Sequence, residues 1–502
     1  MSAVVAIDAG TTGVRSRAIF ADGRASVSSY LEFPQYFPQP GWVEHDALEI
    51  LFAVRQTLSE VVAHLSTMPD AQIATIGITN QRETIVAWDK STGVPFGRAI
   101  VWQDRRTADR CTELLPMLAT VRATTGLVLD PYFSGSKVQW MIKNGQIPQT
   151  ADLAVGTIDS WIIWNLTGGN SFVTDPSNAS RTMLFDINNM HWSERMCEVF
   201  DVPLTSLPTI VPSSGRCGIT QSFTSTNKKA EINIPGGIPI SGIAGDQQAA
   251  LFGQACFNVG SSKNTYGTGS FVLMNVGNAC PPPTDGMLTT VAWDLGSGKP
   301  TYALEGSIFV TGSAIQWLRD GLNIIDNAAQ VGPLAASVTD SGGVVVVPAF
   351  TGLGSPWWDP YARGIICGIT RGTTRAHIAR AVVQSMTYQT RDVVEAMVRA
   401  TGVPLIDMRV DGGAAVMDLM LQMQADQLGV TVVRPKDLET TALGAAYLAG
   451  LAEGVWSTLQ SITDSWQLDR TFTPQPTPTT ASEYALWSRA VQRSLNWTSD
   501  SR

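Results

Sequence analysis

An aspartate and a glycine–threonine turn follow the first apolar segment of the chain, in the order Asp8, Gly10, Thr11, Thr12 and Gly13. Glycine lets backbone N–H groups approach an anion closely, and threonine hydroxyls add hydrogen-bond donors. An aspartate at the end of a strand is placed to hold a metal ion, directly or through water. The run therefore predicts a nucleotide-phosphate hairpin with Asp8 near a metal ion. The alternative is an ordinary turn between two strands.

A similar turn recurs half a chain later, at 264–271, before another apolar strand. A third glycine-rich turn, 410–414, follows a short apolar segment. Two similar hairpins predict a duplicated architecture in which each half contributes one hairpin and the nucleotide lies between them. The sequence contains neither a Walker A motif nor a dinucleotide-binding G-x-G-x-x-G between a strand and a helix. The predicted phosphate contacts therefore rest on the hairpins.

Asp246 is the candidate catalytic base. It follows Gly245 where a strand turns into a helix, a position at which open α/β sheets place their ligands. A carboxylate there can accept a hydroxyl proton while that oxygen attacks a γ-phosphorus. The alternative is that Asp246 only caps the helix, as aspartates often do.

Arg82 and Glu83 follow another strand and carry opposite charges. Together they can clamp a vicinal diol, with the arginine donating and the glutamate accepting hydrogen bonds. The usual alternative for such a pair is a surface ion pair. Trp102, Tyr132 and Phe271 are the candidate aromatic contacts for the C–H groups of a sugar or polyol, although Trp102 and Tyr132 also fit a hydrophobic core.

Apolar strand-like segments alternate with helical patterns along the chain, which is typical of α/β proteins. A domain boundary is predicted near residue 253. One long helix is expected to begin at the cap residue Thr374 and to stop at Gly402. The elements that must position the candidate residues are predicted as strands at 71–78, 238–243 and 343–347 and as helices at 48–65, 248–254 and 374–399.

The bulk properties bound the class of protein. A chain of 502 residues is too long for one hydrophobic core and fits two large domains. The net charge of −9 argues against nucleic acid and anionic membranes as partners. The sequence has no apolar run of membrane-spanning length and no recognisable signal peptide. Its six cysteines form no CxxC pair and its four histidines have no metal-ligand spacing, so we expect reduced thiols and a cytoplasmic protein.

Five blocks of the sequence resemble the FGGY carbohydrate kinases, and in particular the members of that family that phosphorylate glycerol. The blocks follow the order expected for the family over nearly the whole chain. One block alone would only be suggestive, but five in sequence are highly specific. In chain order they are 41–46, 77–84, 175 with 178–182, 242–253 and 348–354.

The resemblance implies an α/β fold of two actin/hexokinase-like (ribonuclease H-like) ATPase domains with a cleft between them, here 1–253 and 254–502. It implies ATP-dependent phosphorylation of glycerol to sn-glycerol 3-phosphate, with Asp246 as the base and Mg²⁺ near Asp8, and we expect a homo-oligomer, either a dimer or a tetramer. The residues expected around glycerol are Arg82, Glu83, Trp102, Tyr132, Asp246, Gln247 and Phe271. Those expected at the nucleotide are Thr11, Thr12, Gly13, Arg15, Thr268, Gly312, Gln316, Ala414 and Asp418.

Three departures from the family pattern bear on these expectations. Gly13 stands where many relatives have serine, so a hydroxyl contact to phosphate is lost. Asp418 stands where the glycerol-phosphorylating members usually have asparagine, which affects adenine recognition. The segment 226–234 contains Lys228 and Lys229 but no glycine or arginine. A bisphosphate site needs both of those features, so we expect no inhibition by fructose 1,6-bisphosphate.

Two other functions stay open on the sequence alone. One is a kinase of the same family that acts on another polyol or on a ketose. The other is a non-catalytic, actin-like, nucleotide-dependent scaffold. Asp8, Asp246 and both hairpins count against the scaffold, because a protein without phosphoryl transfer has no need of a base beside a phosphate site.

Overall fold

The computed structural model describes residues 2–226, 231–475 and 477–498. The expectation that fructose 1,6-bisphosphate does not inhibit the protein rests partly on Lys228 and Lys229. These two lysines lie outside the described residues. Within these ranges, no helix is long and apolar enough to span a membrane.

Strands and helices alternate along both halves of the chain. The strands are β1 Ser2–Ala9, β2 Gly13–Phe20, β3 Val27–Glu32, β4 Glu44–His45, β5 Gln72–Asn80, β6 Ile85–Asp89, β7 Ala99–Ile100, β8 Leu153–Thr157, β9 Val173–Thr174, β10 Phe185–Asp186, β11 His191–Trp192, β12 Thr209–Ile210, β13 Ser214–Ile219, β14 Phe223–Thr226, β15 Glu231–Ile234, β16 Pro239–Gly245, β17 Ser261–Tyr266, β18 Ser270–Gly277, β19 Leu288–Trp293, β20 Thr301–Ile308, β21 Val345–Val347, β22 Ile365–Cys367, β23 Asp407–Asp411, β24 Thr431–Pro435 and β25 Leu468–Phe472. The α-helices are α1 Ala47–Ser66, α2 Ala108–Glu113, α3 Leu118–Thr125, α4 Ser134–Lys143, α5 Ile158–Leu166, α6 Pro176–Ala179, α7 Glu194–Val199, α8 Asp246–Gly253, α9 Gly312–Asp320, α10 Val331–Ala336, α11 Arg375–Thr401, α12 Asp418–Leu428, α13 Thr440–Ala452, α14 Leu459–Ser465 and α15 Thr480–Ser494.

The two large sheets repeat one pattern of strands. The N-terminal sheet has the order β3-β2-β1-β5-β16-β13, and the C-terminal sheet has the order β20-β18-β17-β23-β24-β25 with β19 added beside β20. We read the pairs of neighbouring strands from β3 in the first sheet and from β20 in the second. In both sheets the first two pairs are antiparallel, the next two are parallel and the last is antiparallel. This correspondence confirms the duplicated α/β architecture that the two hairpins predicted.

Each predicted phosphate hairpin joins the equivalent pair of strands in its sheet. β1 and β2 pair antiparallel, and the Gly10 N–H donates to the Gly13 carbonyl at 3.0 Å across their turn. β17 and β18 pair in the same way, and the Gly267 N–H donates to the Gly269 carbonyl at 2.8 Å. The two glycine-rich turns are therefore related by the same internal repeat as the sheets.

Most predicted elements agree with the observed ones in type. Helix α11 has Thr374 as its N-cap and Gly402 in the left-handed conformation at its end. The predicted strand 343–347 is shorter, because Gly343 has a φ of 79° and only β21 keeps the extended conformation. Helix α8 begins at Asp246 rather than at residue 248, since the extended Gly245 (φ −61°, ψ 151°) is its N-cap.

Helix α13 ties the two halves of the chain together. It belongs to the C-terminal half, but it packs on β1, β5 and β16 of the N-terminal sheet and on α8. A Cβ atom on Gly444 of α13 would lie only 1.8 Å from the carbonyl oxygen of Ala249 in α8. Glycine is required where two backbones approach this closely. Because α8 begins with Asp246, this contact also fixes the position of the candidate base.

We predict that Gly444→Ala lowers the thermal midpoint of unfolding by several degrees. The added methyl group must push α13 away from α8, and overpacking of this kind typically costs about 1–3 kcal/mol. Gly97→Ala is the matched control, because nothing lies within 4 Å of a Cβ at that position. Differential scanning calorimetry of both variants checks the prediction, and equal midpoints would contradict the proposed role of the close contact.

Candidate functional site

Arg82 connects the two halves of the chain at the candidate site. It stands in the loop after β5, and its side chain is only 2% exposed. Its guanidinium donates to both carboxylate oxygens of Glu305 on β20, at 2.5 and 3.1 Å. Its Nε also lies 3.1 Å from Oδ1 of Asp246, and Nη1 donates to Gln248 at 3.2 Å. Such a bidentate, buried pair holds the arginine in one orientation.

Arg82, Glu83, Arg181 and Glu305 form a buried group of four charges, called here the charge cluster. Arg181 donates to Glu83 at 2.7 Å and to Glu305 at 3.0 Å, while Arg82 Nε lies 3.9 Å from Glu83. Arg82 and Glu83 are therefore not a surface ion pair. The closest partner of Arg82 is Glu305, to which it donates twice, whereas Glu83 is bound by Arg181. Glu83 has a φ of 62°, a conformation rare outside glycine.

The two arginines decide the protonation of the cluster's carboxylates. Burial favours the neutral form of Glu305, but Arg181 and Arg82 outweigh burial and hold the pKa of Glu305 at about 2. At Glu83 burial prevails over the two arginines, and the pKa is raised above its ordinary value. Glu305 is thus a fixed anion that orients the arginines. Glu83 is the more basic carboxylate, which suits it to accept a hydrogen bond from a ligand hydroxyl.

Asp246 is the most accessible acidic group beside the cluster. Its side chain is 29% exposed, whereas Arg82 and Glu305 are almost fully buried. Oδ1 accepts the N–H of Gln247 at 2.7 Å and faces Arg82. Gly245 rather than Asp246 is the N-cap residue of α8, although the Asp246 carboxylate still accepts a first-turn N–H. A substrate hydroxyl can therefore reach a carboxylate whose direction is fixed from both sides.

Gln247 follows Asp246 and is held by a buried lysine. Lys263 on β17 is fully buried, and its ammonium donates to the Gln247 side chain and, at 3.0 Å, to Thr265. Burial lowers the pKa of Lys263 to about 8. This contact places a positive charge from the second half of the chain next to the candidate base.

The three candidate aromatic residues surround Arg82. Trp102 and Tyr132 are partly exposed and pack edge to face, with ring centres 5.5 Å apart. The Arg82 guanidinium lies 3.4 Å from the Tyr132 hydroxyl and 5.9 Å from the ring centre of Phe271. The Trp102 indole N–H donates to the Thr11 hydroxyl at 3.0 Å. Trp102 therefore links the aromatic group to the first phosphate hairpin.

The first hairpin carries two threonine hydroxyl groups and one arginine, and its Thr11 contacts Trp102. Thr12 is exposed at the turn, Gly13 begins β2, and Arg15 follows on the same strand. The Arg15 guanidinium is paired with Glu439, just before α13, at 2.5 Å. An incoming phosphate would compete with Glu439 for this arginine.

The second hairpin is joined to the start of α9. The carbonyl of Thr268 accepts the N–H groups of Thr311 and Ser313 at 3.0 Å each, and the Gly312 N–H donates to Gly267 at 3.0 Å. Gln316 lies one turn further along α9 and is exposed. Thr268, Gly312 and Gln316 thus share one edge of the C-terminal half.

The third glycine-rich turn lies beside the second hairpin. A Cβ on Gly412 would be 2.6 Å from the carbonyl of Tyr266, and Ala414 follows two residues later in a 3₁₀ helix. Asp418 begins α12, but its two carboxylate oxygens accept hydrogen bonds from Arg434 and Arg470. A contact from Asp418 to adenine stays a prediction, and it would have to form beside these ion pairs.

Sequence patterns missed three charged residues at this site: Arg181, Lys263 and Glu305. Arg181 lies within a block already recognised as family-like. Lys263 and Glu305 are single charges inside otherwise buried strands. Since a buried charge needs a partner, the isolated charge of Glu305 in a mostly apolar strand was an available signal. Lys263 gave no such signal, because the residues around it on β17 are polar.

The duplicated sheets, the paired hairpins and a carboxylate beside a buried arginine define a class of two-domain phosphotransferases. Known proteins agree with this assignment. The "FGGY family of carbohydrate kinases, N-terminal domain" matches residues 3–253, and the corresponding C-terminal domain matches residues 262–453. The chain belongs to the FGGY family of carbohydrate kinases.

Proteins that are similar to the chain over nearly its whole length are named glycerol kinase. The chain is 51% identical to glycerol kinase 2 of Thermotoga maritima and to glycerol kinase of Symbiobacterium thermophilum, with 99% of each chain covered. The structure matches that of Plasmodium falciparum glycerol kinase with ADP, at a TM-score of 0.92 and 35% identity over 99% of this chain and 98% of that one. The fold also resembles gluconate kinase from Lactobacillus acidophilus, at a TM-score of 0.84 and 20% identity over 98% of each chain.

We predict that Glu305→Gln lowers the thermal midpoint far more than Asp285→Asn does. The first change removes the shared partner of two buried arginines, and breaking a buried ion pair costs about 3–5 kcal/mol. Asp285 pairs with Arg122 on the surface and is 99% exposed, so its loss should have little effect. Thermal melts followed by circular dichroism compare the two variants, and similar midpoints would show that the charge cluster is not needed for the fold.

Proposed function

We infer that this chain transfers the γ-phosphoryl group of ATP to glycerol, giving sn-glycerol 3-phosphate and ADP. The observation that carries this conclusion is the position of Asp246, whose accessible carboxylate lies beside the buried Arg82 while Trp102 links the same group to a phosphate hairpin. The full-length similarity to proteins named glycerol kinase supports glycerol as the acceptor.

The proposed substrate site matches the chemistry of glycerol. Glycerol has three hydroxyl groups on a short carbon chain, so its recognition needs charged hydrogen-bond partners and an apolar surface. The second N–H of Arg82 Nη2 makes only a 3.4 Å contact with the Tyr132 hydroxyl and can donate to one ligand hydroxyl, and Glu83 can accept from another. Trp102, Tyr132 and Phe271 provide the surface for the C–H groups, and Gln247 adds a polar side chain held by Lys263.

In the proposed reaction, Asp246 acts as the general base. Its carboxylate accepts the proton of the terminal hydroxyl while that oxygen forms a bond to the γ-phosphorus. The bond between this phosphorus and the bridging oxygen breaks, and ADP leaves with the electron pair. Arg82 holds both the hydroxyl and Asp246, which brings the reacting oxygen into line.

Asp8 is the residue we propose for Mg²⁺. Burial, together with the nearby charges of Asp246 and Glu439, raises the pKa of Asp8 to about 7. Among the described residues, its carboxylate has no hydrogen-bond partner. Asp8 is only partly exposed, and in the part of the chain that the structure describes no three acidic, histidine or cysteine side chains lie close enough together to enclose a metal ion. Its carboxylate therefore fits a hard divalent cation that keeps most of its ligands as water or phosphate oxygens. When bound, Mg²⁺ supplies charge neutralisation at the nucleotide phosphates.

We propose nine residues as contacts for the nucleotide. They are Thr11, Thr12, Gly13 and Arg15 from the first half and Thr268, Gly312, Gln316, Ala414 and Asp418 from the second.

The domain division at residue 253 and the homo-oligomeric assembly stay predictions. All six cysteines are free thiols, in keeping with the proposed cytoplasmic location.

A coupled ADP-release assay tests the acceptor. We expect rapid turnover with glycerol and weaker turnover with erythritol, xylitol and xylulose, which have longer carbon chains. Dihydroxyacetone has the same three carbons as glycerol but a central carbonyl that cannot donate a hydrogen bond to Glu83, so we expect weaker turnover with it too. Faster turnover with xylitol or xylulose than with glycerol would instead assign the chain to another activity within the family.

We predict that Asp246→Asn lowers kcat by about 10² to 10⁴ and leaves glycerol binding nearly unchanged. The amide keeps the size of the side chain but cannot accept the proton, and loss of a positioned base has an effect of this size. Asp285→Asn serves as the control. Steady-state kinetics together with glycerol titration calorimetry measure both properties, and a variant that keeps more than a tenth of the activity would refute the assignment of the base.

We also predict that Asp8→Asn removes most of the effect of Mg²⁺ on nucleotide binding. In the wild-type protein, ADP should bind more tightly with Mg²⁺ than with EDTA, and in the variant the two affinities should be close. The variant should also melt at a higher temperature at pH 8 without ligands, because it no longer buries a charged carboxylate. Calorimetry and thermal melts test both expectations, and an unchanged Mg²⁺ effect would place the metal elsewhere.

A further inference from the structure

We propose that the hydroxyl group of Tyr30 binds the phosphates of the nucleotide at the first hairpin, in the place that a side chain at position 13 would occupy. The proposal rests on the proposed function only in so far as the first hairpin receives the nucleotide. It adds a residue from β3 that lies outside the glycine–threonine turn.

The register of β2 and β3 brings Tyr30 over Gly13. Tyr30 pairs with Arg15, so position 13 is its diagonal neighbour on the sheet. A Cβ on Gly13 would lie 2.7 Å from the Tyr30 hydroxyl oxygen, 2.8 Å from Cζ and 2.7 Å from the carbonyl of Leu31. The end of the tyrosine ring therefore fills the space that any side chain at position 13 would need.

Two side chains that suit an anion, Thr12 and Arg15, lie near the Tyr30 side chain, although Arg15 is paired with Glu439. The Thr12 hydroxyl lies 3.5 Å from the Tyr30 hydroxyl, at the outer limit of a hydrogen bond. The Arg15 guanidinium carbon lies 5.4 Å from the centre of the ring. Tyr30 is 48% exposed, and its hydroxyl has no closer partner among the described residues. A donor is thus available to an anion between Thr12 and Arg15.

The simpler explanation is that the tyrosine ring only covers a glycine in a strand, as aromatic residues sometimes do. That explanation needs the ring but not the hydroxyl. Tyr30→Phe separates the two, because phenylalanine keeps the ring and removes only the hydrogen-bond donor.

The test measures the dissociation constant for ADP by titration calorimetry and the KM for ATP. We expect Tyr30→Phe to weaken ADP binding and to raise the KM for ATP about tenfold, as expected for a hydrogen bond to a charged group. AMP, which lacks the outer phosphates, should bind both proteins alike. The matched control is Tyr361→Phe, since Tyr361 is similarly exposed at 49% and should change neither constant.

A second pair of variants tests whether Tyr30 and position 13 share one space. Gly13→Ser alone should weaken ADP binding, because its Cβ collides with the ring and displaces the hydroxyl. In the double variant Gly13→Ser/Tyr30→Ala the collision with the ring is gone and only the Leu31 carbonyl still crowds the serine Cβ. Gly13→Ser should therefore weaken ADP binding less in the Tyr30→Ala protein than in the wild type, so that the two changes are not additive.

Unchanged ADP affinity in Tyr30→Phe would overturn the proposal, and so would a Gly13→Ser effect on ADP affinity that is equally large with and without the Tyr30 side chain. Absence of ADP binding to the wild-type protein would also overturn it. Binding of ADP without phosphorylation of glycerol would contradict the proposed function alone, because the effect of Tyr30→Phe on ADP affinity is measured without the acceptor.

Discussion

The buried pairing of Arg82 with Glu305 is the interaction on which the rest of the site depends. The two residues are 223 positions apart and belong to different halves of the chain. Two charges taken out of water need close, well-directed partners, and here a second arginine and a second glutamate complete the group. The buried ion pairs fix the direction of the arginine side chains; a buried ion pair of this kind is weak evidence for a net gain in stability. The Arg82 guanidinium is held in one orientation, with its Nε at Asp246 and its weakest contact, the 3.4 Å one with Tyr132, available for exchange with a ligand hydroxyl.

The duplicated architecture explains why charged groups from both halves meet at this place. Each half contributes one hairpin at the same point of its sheet, and each half also contributes charges: Arg82 and Glu83 from the first, Lys263 and Glu305 from the second. Helix α13 returns from the second half to pack on the first sheet and on α8. The candidate base at the start of α8 is therefore held by both halves, which couples the geometry of the acceptor site to that of the phosphate hairpins.

Residues next to glycine-rich turns and strand ends could be predicted from the sequence. Asp8, Arg82 and Asp246 were found because local patterns of apolar residues and glycine mark where strands stop. The partners of these residues could not be found in this way, because Glu305 reaches Arg82 only through the packing of two sheets. For a similar reason, the packing of α13 on the N-terminal sheet could not be predicted from the sequence. A helix that is apolar on all sides indicates burial but not which surface covers it.

A crystal structure of the wild-type protein with glycerol and a non-hydrolysable ATP analogue tests most directly whether Arg82, held by Glu305, positions the acceptor beside Asp246. We predict that glycerol lies against Arg82, Glu83 and Asp246, with its terminal hydroxyl within hydrogen-bond distance of the Asp246 carboxylate and the γ-phosphate on the far side of that oxygen. The Arg82–Glu305 pair should be unchanged. The role given to the Arg82–Glu305 pair would be contradicted if glycerol bound away from Arg82. It would also be contradicted if the Arg82 side chain left Glu305 to reach the ligand.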